Sequence, residues 1–291
     1  MGNIATNFRD QIKKLEERGM IIDLDNEKVQ EILLDIGYYR LGFYWYPFEI
    51  NQNHQFKTGT KFSDVVSLYY LDVNLRNILL RCLNRIEINF RTKVVYYISN
   101  IYKSSPTWFI DPRVISTDFI DSIEKHYNDD FIKNNKQIKL HHKKYINDKY
   151  APAWKTLEFF TFGAILKVFK SLNDKEQQEK IAKFYGILNL QKFINLLDTT
   201  VYVRNVCAHG GVLFDLKLPK SISAIPEINF NSQDRYSLDD SMKVLFYFLG
   251  KISVNRKLEI EEELDNLFSE HYGNEVIKNI IEQKIGYKKF T

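Results

Sequence analysis

The sequence predicts an all-α fold, and three observations carry that prediction. Apolar residues recur at three- and four-residue steps along 64–99, where Leu75, Ile78, Leu79, Cys82, Leu83, Ile86 and Phe90 form one stripe. Only 12 Gly and 6 Pro in 291 residues leave few places for the tight hairpins of a many-stranded sheet. Helix stop and start signals separate the periodic stretches, beginning with Gly19 and Asp25. The chain is long enough for a sizeable core, as one large domain or two small ones.

Taken in order, 7–36 reads as two helices. The first ends at Gly19, and the second starts near Asp25, a good N-cap with Glu27 in its first turn. Residues 37–56, "GYYRLGFYWYPFEINQNHQF", are dense in aromatics and broken by Gly37, Gly42 and Pro47. They form either a short strand or an irregular aromatic clasp, and periodicity does not choose between the two. The long helix over 64–99 follows. Its other faces carry Arg76, Arg81, Arg85, Glu87 and Arg91, with the arginines expected at the surface or between helices.

Residues 100–130, with Pro106 and Pro112, read as a loop leading into a short helix. Helices resume at 154–172, 174–186 and 188–208, and a Pro-containing polar connection over 217–236 precedes two more at 237–253 and 257–285. There is no internal repeat or low-complexity segment. The expected organisation is one globular unit, in which a helical and aromatic segment (1–60) packs on a larger helical domain (61–291).

Composition narrows the function classes. With 44% hydrophobic and 27% charged residues, the chain is an ordinary globular protein and not a disordered one. A net charge of +4 is compatible with a nucleic-acid partner without requiring one. Cys82 and Cys207 sit in apolar helical patterns without paired spacing and read as reduced, buried thiols of a cytoplasmic protein. No apolar run reaches the length of a membrane span. The opening "MGNIAT" fits the N-myristoylation pattern at Gly2, but nothing beside it supplies a second anchor, so no membrane association is expected.

The most concentrated chemistry lies at 202–211, "YVRNVCAHGG". The spacing of Arg204 and His209 carries little by itself, because composition alone yields roughly one such pair in a chain like this. Its context carries more. The stripe Leu190, Ile194, Leu197, Val201 continues at helical steps onto Arg204, so a permanent charge falls where an apolar residue is called for. Burying it without an anionic partner would be very costly. At about 100° per residue Asn205 and His209 lie about 40° apart, while Arg204 and His209 are about 140° apart. The latter two converge only if the helix ends at His209, as Gly210 and Gly211 suggest, or if two chains each contribute a set. A satisfied arginine beside a helix-end histidine is the plainer alternative.

Chemically the trio suits phosphodiester cleavage. His209, with an ordinary pKa near neutrality, can take or give the proton of a ribose 2′-hydroxyl. Arg204 can stabilise charge on a pentacoordinate phosphorus through its bidentate fork, and Asn205 can hold imidazole or phosphate in place.

"RNVCAH" resembles the R-x4–6-H signature of the HEPN superfamily. The segments "QIKKLEERGMII", "IGYYRLGFYWYPF", "YYLDVNLRNILLRCLNRIEINFR" and "RNVCAHGGVLFD" occur in the order seen in abortive-infection proteins of the AbiD/AbiF-like family, over roughly residues 8–215. That resemblance implies a HEPN-type helical bundle with additional helices, paired as a homodimer so that two motifs form one cleft. It also implies metal-independent endoribonuclease action in anti-phage defence, leaving 2′,3′-cyclic phosphate ends. Arg204, Asn205 and His209 match its motif positions. A bound small non-coding RNA is a further implied partner, and a non-cleaving RNA-binding ribonucleoprotein is the alternative function. No cofactor is implied.

A second feature is the run "FIKNNKQIKLHHKKYINDKY" at 131–150. Lys136, Lys139, His141, His142, Lys143, Lys144 and Lys149 are the expected RNA-backbone contacts, with Tyr145 and Tyr150 available to stack; a solvated charged face is the competing reading. His141 and His142 lack further ligands at metal spacing, and no metal site is expected. Glu87 is a candidate orienter of the motif, although a surface acid is the commoner case. The aromatic block at 37–48 reads as core, with Tyr39 and Trp45 as the residues placed to touch a ligand.

Overall fold

The computed structural model describes residues 4–50, 54–231 and 233–287; Gly2 of the acylation pattern lies outside them. Among the described residues there are fourteen α-helices and no strand, only isolated bridges such as Ile21 with Lys61. The all-α expectation holds. The helices are α1 (Phe8–Glu17), α2 (Asn26–Asp35), α3 (Tyr38–Trp45), α4 (Phe62–Ile101), α5 (Thr117–Asp121), α6 (Asp129–Asn134) and α7 (Lys136–Lys144). They continue as α8 (Ala153–Thr156), α9 (Phe162–Lys170), α10 (Lys175–Phe184), α11 (Leu190–Ala208), α12 (Leu238–Ile252), α13 (Val254–Glu270) and α14 (Glu275–Ile280).

The 40-residue α4 is the axis of the molecule, roughly 60 Å long at the helical rise. Its predicted stripe, Leu75 to Phe90, is buried throughout, and α3, α11, α12 and α13 all pack against it. Phe90 is the hub of an aromatic cluster that ties α4 to α9 and α11. Its ring lies 5.3 Å from Phe169, 6.1 Å from Phe162 and 6.3 Å from Phe193, centroid to centroid. The contacts with Phe169 and Phe193 are edge-on and that with Phe162 is tilted, and rings at such distances add to the burial term that holds the helices together.

Local chemistry explains the boundaries. Asp25 caps α2 by accepting from the Lys28 N–H at 2.8 Å, as expected. Three other expectations are corrected. The aromatic block is not irregular: it is α3 followed by a single 3-10 turn, Tyr46–Phe48, where Pro47 fits a first-turn position that needs no N–H. The helix expected over 154–172 is divided at Phe160 and Thr161, because both take extended backbone and Thr161 caps a new helix, α9. The last predicted helix is likewise divided, at 271–274, where Asn274 caps α14 with its side chain. Short polar caps inside an apolar pattern are weak signals against the surrounding periodicity.

A candidate active site at the end of α11

The apolar face of α11 that reaches the core is Phe193, Leu196, Leu197, Thr200, Val203 and Cys207, not the predicted line through Leu190, Ile194 and Val201. The register is rotated by about one residue. Arg204 therefore sits at the rim of the buried face, with its side chain 25% exposed. Its Nε lies 3.4 Å from Glu87 Oε2 on α4. This is the anionic partner that a half-buried guanidinium requires. Glu87 is itself buried and not the surface acid expected.

The carboxylate of Glu87 is shared. Arg91, one turn further along α4, donates to Glu87 Oε1 at 2.6 Å and to the Phe160 carbonyl at 2.9 Å. Arg91 also faces the exposed carboxylate of Glu158 at 3.9 Å, so Glu87 is the shared buried acid of the pair and Glu158 a second acid at its edge. Arg204 Nη1 also reaches Asn205 Oδ1 at 3.4 Å.

His209 is the residue at which α11 ends, and its exposed imidazole has no hydrogen-bond or ion-pair partner among the described residues. The chain reverses through a Schellman turn. Gly211 N–H donates to the Val206 carbonyl at 2.8 Å and Gly210 N–H to the Cys207 carbonyl at 3.3 Å, with Gly210 at φ +67°. A Cβ on Gly211 would stand 2.7 Å from Val206 Cγ1. The two glycines are thus required by the turn that positions His209. No hydrogen bond joins the Arg204 and His209 side chains in the single chain.

A second buried network holds the segment after the turn. Asp72, fully buried on α4, accepts from the N–H groups of Leu213 at 2.8 Å and Phe214 at 2.9 Å, from the Tyr44 hydroxyl at 2.9 Å and from Arg76 at 2.7 Å. Arg76 also donates to the Gly211 carbonyl, and Arg40 of α3 donates to that of Gly210. Burial holds the Asp72 carboxyl above its usual range, against the pull of these donors. Desolvation likewise pushes the neighbouring Cys207 thiol up to about 12, and both cysteines are free and buried. The clamp formed by Arg40, Tyr44, Asp72 and Arg76 was not foreseen from sequence. A signal was present: Asp72 with Arg76 and Glu87 with Arg91 are both acid–arginine pairs at i,i+4. Arg76 and Glu87 fall within about 20° of one another around the helix.

The basic run forms α6, α7 and the turn after them. Lys136, Lys139, Lys143, Lys144 and Lys149 are exposed. His141 is buried instead: its Nε2 is 3.0 Å from Asp148, its Nδ1 is 3.5 Å from Lys155, and burial lowers its pKa. His142 is half-buried, with its Nε2 2.7 Å from the Tyr127 hydroxyl. The segment is joined to the motif by packing, since the Phe131 ring of α6 lies 5.8 Å from Phe160, whose carbonyl holds Arg91.

A family model described as Abi-like protein matches residues 31–215, more than half of the chain. The chain belongs to the Abi-like protein family. That membership places it with abortive-infection proteins, and the matched span contains every residue of the motif and of both buried networks in this Abi-like protein. No curated protein and no solved structure matches the chain. No helix among the described residues of the Abi-like protein is long and apolar enough to cross a membrane.

Proposed function

We propose that this Abi-like protein acts in anti-phage defence as a metal-independent HEPN-type endoribonuclease, with Arg204, Asn205 and His209 as its catalytic residues. The observation that carries the reading is the pairing of Arg204 with buried Glu87 beside an exposed, unpartnered His209 at one helix end. A merely structural arginine would be consumed by its carboxylate. Here Glu87 meets Arg204 only through Nε at 3.4 Å and binds Arg91 more closely, so the outer guanidinium nitrogens of the partly exposed Arg204 remain open to a phosphate.

In the reaction His209 removes the 2′-hydroxyl proton as the 2′-oxygen attacks phosphorus. Arg204 stabilises the extra negative charge on the phosphorane oxygens, and Asn205 positions phosphate or imidazole. The bond to the 5′-oxygen breaks, that oxygen takes a proton from a His209 imidazolium, and a 2′,3′-cyclic phosphate and a 5′-hydroxyl remain. The angular separation of Arg204 and His209, and the lack of contact between them, support a homodimer in which two motifs line one cleft. The exposed lysines of α7, together with Lys149, supply phosphate contacts at its edge.

The test is incubation of nucleic-acid-free protein with total bacterial RNA in EDTA, beside Arg204→Ala/His209→Ala. Cleavage by the wild type alone, leaving 5′-hydroxyl ends, is the expected result. His209→Ala alone should also abolish cleavage while preserving the circular dichroism spectrum, because an exposed imidazole contributes little packing. If neither protein cuts, the reading gives way to a non-cleaving ribonucleoprotein that works with a small structured RNA.

A further inference from the structure

We infer that the exposed face of α3 is a stacking shelf for an unpaired RNA base beside the scissile phosphate; the inference rests on the RNA-cleaving reading above. Tyr39 and Phe43 on α3, and Tyr46 at the start of the 3-10 turn that follows it, recur at four- and three-residue steps and are all exposed, Tyr39 by 80%. Isolated aromatics at a surface are ordinary, but three in one row are not. Their position is informative too. The Tyr39 and Phe43 rings are 5.2 Å apart, and the Arg40 guanidinium lies 5.9 Å from the Phe43 centroid. Arg40 in turn binds the carbonyl of Gly210, the residue after His209. At the other end of the row Tyr46 stacks on Phe214 and hydrogen-bonds Asp215. The shelf therefore runs alongside the segment that follows the proposed general base.

Charge selects the occupant. No carboxylate pairs with Arg40 among the described residues; its partners are the Gly210 carbonyl and the Tyr44 hydroxyl. Tyr39 and Phe43 meet edge to face at 74°, so a ligand for this face must offer a flat apolar surface to one of the two rings and an anion to Arg40 a few ångströms away. A single-stranded nucleotide has both, in its base and its phosphate. A second copy of the chain docking an apolar face here would leave the guanidinium without its anion.

The test uses a 2′-fluoro oligouridine of roughly twelve nucleotides with 2-aminopurine at intervals, which binds but lacks the attacking hydroxyl. Binding to wild type should quench the 2-aminopurine fluorescence. Tyr39→Ala/Phe43→Ala should restore the fluorescence and raise Kd about tenfold or more without changing the salt slope, because stacking releases no counterions. Tyr39→Trp/Phe43→Trp should keep both quenching and affinity. Unchanged quenching and Kd in the double alanine variant would overturn the shelf while leaving the nuclease reading intact. Loss of the dimer in sedimentation with RNA binding preserved would assign the face to a contact between copies. Absence of oligonucleotide binding by the wild type would overturn both readings.

Discussion

Glu87 stands between two arginines, with Oε1 2.6 Å from Arg91 on its own helix and Oε2 3.4 Å from Arg204 on α11. The closer contact neutralises the carboxylate and the longer one aims a guanidinium that is still partly open to solvent. An anchor of this kind fixes direction more than it consumes charge.

Glu87→Gln should therefore lower the single-turnover cleavage rate roughly 100-fold with little change in RNA affinity, since misplacing a catalytic group by an ångström has about that effect. It should also lower stability by about 3 kcal/mol in urea unfolding, because buried Arg91 loses its close counter-charge and keeps only the exposed Glu158 at 3.9 Å. Equal losses in rate and affinity would show that Glu87 does not orient Arg204.

Gly211→Ala tests the turn. The new methyl meets Val206 Cγ1 at 2.7 Å and the Val206 carbonyl at 3.2 Å. That carbonyl accepts the Gly211 N–H, so it cannot retreat without loss of the turn. We expect a destabilisation of about 2 kcal/mol. Cleavage measured well below the melting point should fall further than the folded fraction does, since His209 moves with the turn.

Lys143→Glu with Lys144→Glu should weaken RNA binding and reduce the magnitude of the logarithmic salt slope by roughly 1 to 2, as two phosphate contacts are lost. Both lysines are exposed at the end of α7, so the fold should be unaffected. An unchanged slope in a salt titration would move the RNA path away from α7.

Asp239 sets a pH dependence remote from the site. Burial raises its carboxyl to about 6, although Lys243 lies 3.3 Å away and Asn231 donates to it at 2.9 Å. Between about pH 4, where an unfolded aspartate titrates, and about pH 6 the folded chain keeps a proton that the unfolded chain has lost. The contribution of Asp239 to stability falls as pH rises through that window and levels off above it. Relative to wild type, Asp239→Asn should gain about 3 kcal/mol across the same interval in denaturant titrations. A difference independent of pH would mean that Asp239 titrates normally.

Much of the fold was legible because it rests on local rules. The α4 stripe, the Asp25 cap and the end of α11 at Gly210 and Gly211 each follow from residues within a turn or two of one another. The same locality explains the errors. Thr161 and Asn274 end apolar patterns with a single polar cap, and the aromatic density at 38–48 hid a helix whose buried members, Leu41, Tyr44 and Trp45, share one side.

The sequence by itself determined an all-helical chain and the residues of its one chemically dense segment, since periodicity and spacing are properties of neighbours along the chain. Only the tertiary structure decided what those residues face. Glu87 and Arg204 are 117 positions apart, and Asp72 and Leu213 are 141 apart. No local pattern encodes such distances. The partners are chosen where α11 crosses α4, because a charge taken out of water there must meet its opposite or a full set of hydrogen bonds.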